Sequence, residues 1–265
     1  MLSVVLMYVA IVVGSFFMGG LFSKALVRIS LLDMNTFAFL ATVFFVCSFI
    51  VVRPRHTLEF IRGSRFRFDL VVVGFLVIFI PLTIAQIIAI SGTADLDFTF
   101  TRMLVHFPLL LLVIGVSTLA EEYIFRGIFR RYGPKGTVLR LIWCTVPWLV
   151  IHLGTPQSSS LMFWVNLTAM GLLFWWTSEI TQGIELPWGL HLGNNLAVIS
   201  FYTATNAEVT AAITSPTIKY ACLFIYVIGW VLVGLYCHKE KDNETNVLDR
   251  TDCCTSGANS SVRGG

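Results

Sequence analysis

Charged residues are scarce in this sequence. They make up 12% of its 265 residues, whereas 56% of the residues are hydrophobic, and the mean hydropathy is +0.81. A soluble globular domain usually carries about a quarter charged residues. So little charge excludes an ordinary water-soluble domain and indicates that the natural solvent of the chain is lipid.

Several sequence signals of other protein classes are also missing. No run of Lys and Arg with interleaved aromatic residues is present, so we expect no nucleic-acid partner. The six cysteines show no CxxC or metal-ligand spacing, and four of them lie in or beside apolar runs, where Cys behaves as a small hydrophobic residue. No HExxH motif is present, which excludes the common zinc-protease helix.

Long hydrophobic runs dominate what remains. A bilayer core needs about 20 apolar residues per helix. By this length criterion the sequence predicts an all-α, polytopic membrane bundle of about eight transmembrane helices within residues 1–237. The catalytic core is predicted at about 100–203. The predicted spans are 2–22, 35–52, 69–90, 103–125, 138–153, 160–178, 186–203 and 218–237. Residues 238–265 are polar and are predicted to form a disordered cytoplasmic tail.

Basic residues predict the orientation. Arg and Lys concentrate in two short loop regions, 53–67 and 126–140, which the positive-inside rule assigns to the cytoplasm. Both termini are then cytoplasmic. The expected location is an integral multi-pass position in the membrane, and the compact chain favours a bacterial plasma membrane. The sequence leaves the oligomeric state open.

Ionisable residues inside predicted spans are costly and each is a candidate functional residue. Glu121 and Glu122 are adjacent, and Arg126 follows Glu122 at i+4, so that Glu122 and Arg126 share one helix face. Glu121 is rotated away by about 100° and has no basic residue at i+3 or i+4. The spacing predicts an ion pair that satisfies Glu122 and leaves Glu121 as a candidate general base.

Two histidines lie in later predicted spans. His152 ends the span at 138–153, and His191 and Asn195 share a face at i and i+4. The turn at 133–136 predicts an antiparallel hairpin in which the depths of Glu121 and His152 differ by roughly 5 Å. Each residue alone has a structural explanation, such as an interfacial charge or a satisfied core amide. Three segments that offer polar groups at similar depth favour a single site.

Together these residues resemble the CPBP intramembrane proteases, the family of CAAX proteases and bacteriocin-processing enzymes that is also called Abi. The family pattern is EExxxR, then FxxxH, then HxxxN or HxxxD. Here it reads Glu121 to Arg126, Trp148 to His152, and His191 to Asn195, with Trp148 in the place of the usual Phe. The resemblance covers about residues 70–203, and the substitution of one aromatic residue for another should preserve packing.

The resemblance implies a helical bundle of about eight spans and an intramembrane endopeptidase. It implies that Glu121 activates water with help from His152, and that His191 and Asn195 stabilise the oxyanion. Glu122 and Arg126 would hold the helix ends and orient Glu121. The implied substrate is a membrane-associated or lipidated peptide or protein, as in the prenyl-protease branch or the bacteriocin and leader-processing branch.

Two alternatives stay open at this point. Glu121, His152 and His191 form a set that could bind zinc or another divalent metal. We favour no cofactor, because a metal-bound Glu121 would leave no free base for the water. The second alternative is a membrane transporter, or a proton or cation relay, that uses the same Glu and His residues. Many transporters carry inverted repeats, and we find none in this sequence.

Overall fold

The computed structural model describes residues 66–91, 100–153, 159–204 and 218–237. All regular secondary structure within these residues is helical, in agreement with the predicted all-α class. The helices are α1 Phe68–Ser91, α2 Phe100–Glu122, α3 Phe129–Tyr132, α4 Thr137–Val150, α5 Leu161–Thr181, α6 Glu185–Ala204 and α7 Ile218–Cys237. A π-helical turn, Tyr123–Ile128, joins α2 to α3.

Three of these helices are long and apolar enough to cross a membrane: Phe68–Ala89, Leu161–Thr181 and Ile218–Cys237. Large apolar side chains are exposed along α1 and α7, as on Ile84, Ile88 and Phe224. Such faces suit lipid rather than water. The predicted span 218–237 coincides with α7. The predicted spans 2–22 and 35–52, and the tail at 238–265, lie outside the described residues.

The predicted hairpin between Glu121 and His152 is present. The helical segment that begins with α2 continues through the π-helical turn and α3, and the chain then turns at 133–136 into α4. A π-helical turn adds one residue to a helical turn and often occurs at functional sites. This one begins directly after Glu122, so the two glutamates close a regular helix and Arg126 lies in the widened turn.

Glycines on α1 and α6 set the position of the helix that carries His191 and Asn195. A Cβ atom on Gly74 would lie 2.6 Å from the Leu186 carbonyl oxygen, and one on Gly193 would lie 2.6 Å from that of Phe75. A Cβ on Gly189 would clash with the Val71 carbonyl oxygen. The two backbones therefore approach as closely as small residues allow, a common arrangement between membrane helices.

The apolar core lies where α1, α4, α5 and α6 meet the π-helical turn. Its fully buried members include Leu82 from α1, Trp148 from α4, Phe174 from α5, and Leu186 and Leu190 from α6. The candidate site residues are attached to this core rather than to a loop. Rigid elements of this kind hold side chains within narrow positional limits.

Candidate active site

Glu122 and Arg126 form a fully buried ion pair. Arg126 Nη1 donates to Glu122 Oε1 at 3.1 Å, and both side chains are 0% exposed. The i, i+4 pair anticipated from the sequence is therefore present, although the chain between its partners is π-helical. A buried charge requires such compensation, because removing an ion from water costs several kcal/mol.

The guanidinium of Arg126 has a second source of stabilisation in two aromatic rings. Its central carbon lies 4.7 Å from the ring centroid of Trp148 and 5.4 Å from that of Phe174. The negative face of an aromatic ring attracts a cation, most strongly where water is excluded. Glu122 and the two rings compensate part of the cost of burying this arginine, whose Nε and Nη2 have no hydrogen-bond partner among the described residues.

His191 joins the glutamate pair to the rest of the site. Its Nδ1 lies 2.8 Å from Glu122 Oε1, to which it donates a hydrogen bond, and its Nε2 lies 3.9 Å from Glu121 Oε2. The ring stacks on Phe174 at 5.0 Å between centroids and is buried. Glu122 therefore orients His191, a function that the sequence did not reveal.

Glu121 is more open than its neighbour. Its side chain is 25% exposed, whereas that of Glu122 is 0% exposed. Its Oε2 accepts a hydrogen bond of 2.9 Å from Trp148 Nε1. The absence of a basic partner at i+3 or i+4 thus does not leave Glu121 unpartnered, because a residue from the other arm of the hairpin holds it.

His152 lies in the turn that follows α4. Its Nδ1 donates to the Trp148 carbonyl oxygen at 2.8 Å, and its ring lies 4.9 Å from that of Trp148. A neutral ring that donates at Nδ1 carries its lone pair at Nε2. The side chains of Glu121 and His191 interact electrostatically with the His152 ring.

Asn195 is half-buried on α6, one turn beyond His191. Its Oδ1 accepts a hydrogen bond of 3.0 Å from Asn194 Nδ2. Asn194 Oδ1 in turn accepts one of 2.8 Å from the Tyr226 hydroxyl on α7. An amide whose oxygen is engaged in this way has its NH2 group as the remaining donor.

Three residues around the site were not singled out in the sequence analysis: Trp148 as a hydrogen-bond donor, Asn194 and Tyr226. A signal existed for Trp148, because a buried indole N–H usually needs an acceptor. Asn194 is polar, but the HxxxN spacing singles out its neighbour Asn195. Tyr226 lies in an otherwise apolar helix and carried no signal.

The alternative of a bound metal requires Glu121, His152 and His191 to converge on one ion. Among the residues that the structure describes, no group of three or more His, Cys, Asp and Glu side chains is arranged to hold a metal ion. Glu121 accepts a hydrogen bond from Trp148, His152 donates to the Trp148 carbonyl oxygen, and His191 donates to Glu122. We therefore derive no step through a metal.

The fold and the site define a helical membrane protein with a buried cluster of glutamate and histidine side chains. Residues 103–197, which hold all three motifs, match the model of the family "Rce1-like: Type II CAAX prenyl endopeptidase Rce1-like". This match confirms the resemblance to the CPBP proteases that the motifs predicted. At family level it indicates a CAAX-protease-like intramembrane endopeptidase.

A curated relative is also similar to this chain. The uncharacterized protein YyaK of Bacillus subtilis (strain 168) is 24% identical over 219 residues, which cover 76% of this chain and 73% of the relative. No solved structure matches this chain.

Proposed function

We propose that this chain is an intramembrane endopeptidase that hydrolyses a peptide bond with water activated by Glu121. The observation that supports the proposal most is the partial exposure of Glu121 beside a buried imidazole. Its carboxylate is 25% exposed, and His191 Nε2 lies 3.9 Å away. A reachable carboxylate beside an oriented imidazole is an arrangement used for general-base catalysis.

The first step of the proposed reaction uses Glu121 and His152. Glu121 takes one proton from a water molecule, and His152 Nε2 accepts a hydrogen bond from the other. The water oxygen then bonds to the carbonyl carbon of the peptide, and the carbonyl π electrons move to its oxygen. Protonated Glu121 later gives its proton to the amide nitrogen as the oxyanion electrons re-form the C=O bond and the C–N bond breaks, which returns the carboxylate.

His191 and Asn195 are the proposed donors to the tetrahedral oxyanion. Glu122 accepts the Nδ1 proton of His191 and so fixes the ring, as in other carboxylate–histidine pairs. The proposed donor to the oxyanion is the N–H that Nε2 carries when the ring holds a second proton. The Asn195 NH2 group is the second donor. Removing one such donor typically costs about 3 to 4 kcal/mol of transition-state stabilisation.

The proposed setting is a multi-pass membrane bundle of about eight spans with both termini in the cytoplasm of a bacterial cell. The proposed substrate is a membrane-associated or lipidated peptide or protein. The matching family is one of type II CAAX prenyl endopeptidases, which favours the prenyl-protein branch over the bacteriocin and leader-processing branch. We propose no second function, since no contact in the described residues favours transport.

Glu121→Gln in the purified, detergent-solubilised protein tests the proposal. The assay uses membrane-tethered peptides in liposomes, one set with a prenylated Cys near the C-terminus and a matched set without the lipid. Cleavage by the variant should fall by about 10²- to 10⁴-fold, the usual contribution of a general base. Full cleavage by folded Glu121→Gln protein would end the proposal.

The same assay separates the metal alternative. Wild-type protein is treated with a chelator, which is then removed. The protein should retain its activity if Glu121 works without a metal. Loss of cleavage that returns on addition of zinc would instead assign the site to a metal held by Glu121, His152 and His191. Preference for the prenylated set would distinguish the two substrate branches.

A further inference from the structure

Trp148 contacts three residues of the candidate site: Glu121, His152 and His191. Its indole is fully buried, and its Nε1 donates to Glu121 Oε2 at 2.9 Å. Its ring lies edge-to-face against His152 and His191, with centroids 4.9 and 6.0 Å apart. Its carbonyl oxygen accepts the hydrogen bond from His152 Nδ1.

The hydrogen bond to Glu121 differs from the ring contacts because it depends on a single atom. A carboxylate on two methylene groups can rotate unless a partner fixes it. The Trp148 N–H fixes one oxygen of Glu121 and leaves the other free of that bond. Losing the donor would release the carboxylate, and a misplacement of about 1 Å can cost roughly 10²-fold in rate.

We propose that Trp148 is a positioning residue that holds the Glu121 carboxylate for water activation through its indole N–H. This inference rests on the proposed function of Glu121 and adds a residue to it. The ring contacts to Arg126, His152 and His191 are a separate, structural contribution, which a phenyl ring can largely supply.

Trp148→Phe removes the N–H and keeps an aromatic ring. We expect kcat to fall about tenfold while KM changes less than twofold, since an interaction that orients a base acts on the chemical step. Trp176→Phe is the matched control, because the ring of Trp176 stacks on that of Trp230 at 5.3 Å. It also loses an indole, and its kcat should equal that of wild type.

Glu121→Asp probes the same contact from the other side, since it shortens the acid by one methylene and leaves Trp148 intact. It should lower kcat, and Trp148→Phe should add little in that background. A wild-type kcat for folded Trp148→Phe protein, or a full additional loss in Glu121→Asp, would overturn the inference. Full activity of Glu121→Gln would instead overturn the proposed function, so the two failures are distinguishable.

A different observation supports a second inference, on the oxyanion side. The buried Tyr226 hydroxyl donates to Asn194, whose amide donates to Asn195. The Tyr226 hydroxyl fixes the oxygen end of the Asn194 amide. The NH2 group of Asn194 then fixes the oxygen end of the Asn195 amide. Tyr226 lies on α7, beyond the residues 103–197 that match the family model.

We infer that Tyr226, acting through Asn194, orients the Asn195 amide so that its NH2 group faces the oxyanion. Tyr226→Phe should lower kcat about three- to tenfold with KM nearly unchanged, because without the hydroxyl the two amides can flip. Tyr220→Phe is the matched control, since Tyr220 lies on the same helix and is exposed; it should behave as wild type.

The test is a double-mutant cycle with Asn195→Ala. That variant should lose about 10²-fold in kcat, and adding Tyr226→Phe to it should cause no further loss. An impaired Asn195→Ala with a wild-type Tyr226→Phe, or additive losses, would overturn the inference. A fully active Asn195→Ala would overturn the proposed oxyanion role itself.

Discussion

Glu121 and Glu122 are adjacent in the chain yet lie in two different environments. Glu122 is fully buried and accepts hydrogen bonds from Arg126 and His191 at one oxygen, Oε1. Glu121 is 25% exposed and has a neutral donor, Trp148, as its hydrogen-bond partner. A rotation of about 100° between consecutive helical residues produces this difference.

The comparison separates two tasks that identical side chains can perform. A carboxylate that compensates a buried cation must stay beside it, because an unpaired charge in the interior of low dielectric is costly. A carboxylate at the open edge, held by one neutral donor, can exchange a proton with water. The inner glutamate therefore supports the structure and orients His191, while the outer one is available for chemistry.

Glu122→Gln is the strongest way to break this comparison. It removes the charge that compensates Arg126, and breaking a buried pair in this manner costs about 3 to 5 kcal/mol. The free energy of unfolding, measured by denaturant titration of the protein in mixed micelles, should fall by about that amount. Glu121→Gln should change it by less than about 1 kcal/mol, since its side chain is partly solvated and its bond is to a neutral donor.

The matched pair of variants gives a result that can contradict the assignment. Both substitutions replace the same carboxylate by the same amide, one residue apart, so intrinsic helix propensity is the same for both. If Glu121→Gln lowers the free energy of unfolding and Glu122→Gln does not, the two roles are reversed. Equal losses would remove the distinction between the two halves of the site.

The sequence predicted the fold where periodicity and length decide the structure. The hydrophobic run at 218–237 matched α7, and the turn at 133–136 placed Glu121 and His152 on the two arms of one hairpin. The ion pair of Glu122 with Arg126 also followed from spacing alone. These features depend on local geometry, so no knowledge of distant residues was required.

The rest of the site depends on tertiary contacts. Spacing gave no reason for His191 to donate to Glu122, 69 residues earlier, or for the Trp148 indole to meet Glu121. The π-helical turn after Glu122 also has no clear sequence signal. The position of His191 also depends on the close packing of α6 on α1 through Gly189 and Gly193.

Glu179→Gln extends the comparison between buried and exposed carboxylates to a second arginine–glutamate ion pair, whose side chains are partly exposed to solvent. Arg140 Nη1 and Glu179 Oε2 are 3.5 Å apart, with side chains 26% and 21% exposed. Pairs in contact with solvent contribute about 0 to 1 kcal/mol, so the free energy of unfolding should fall by no more than that. The loss should shrink further at high salt, because screening weakens exposed pairs. A loss as large as that of Glu122→Gln, unaffected by salt, would mean that burial does not explain the difference between the two halves of the site.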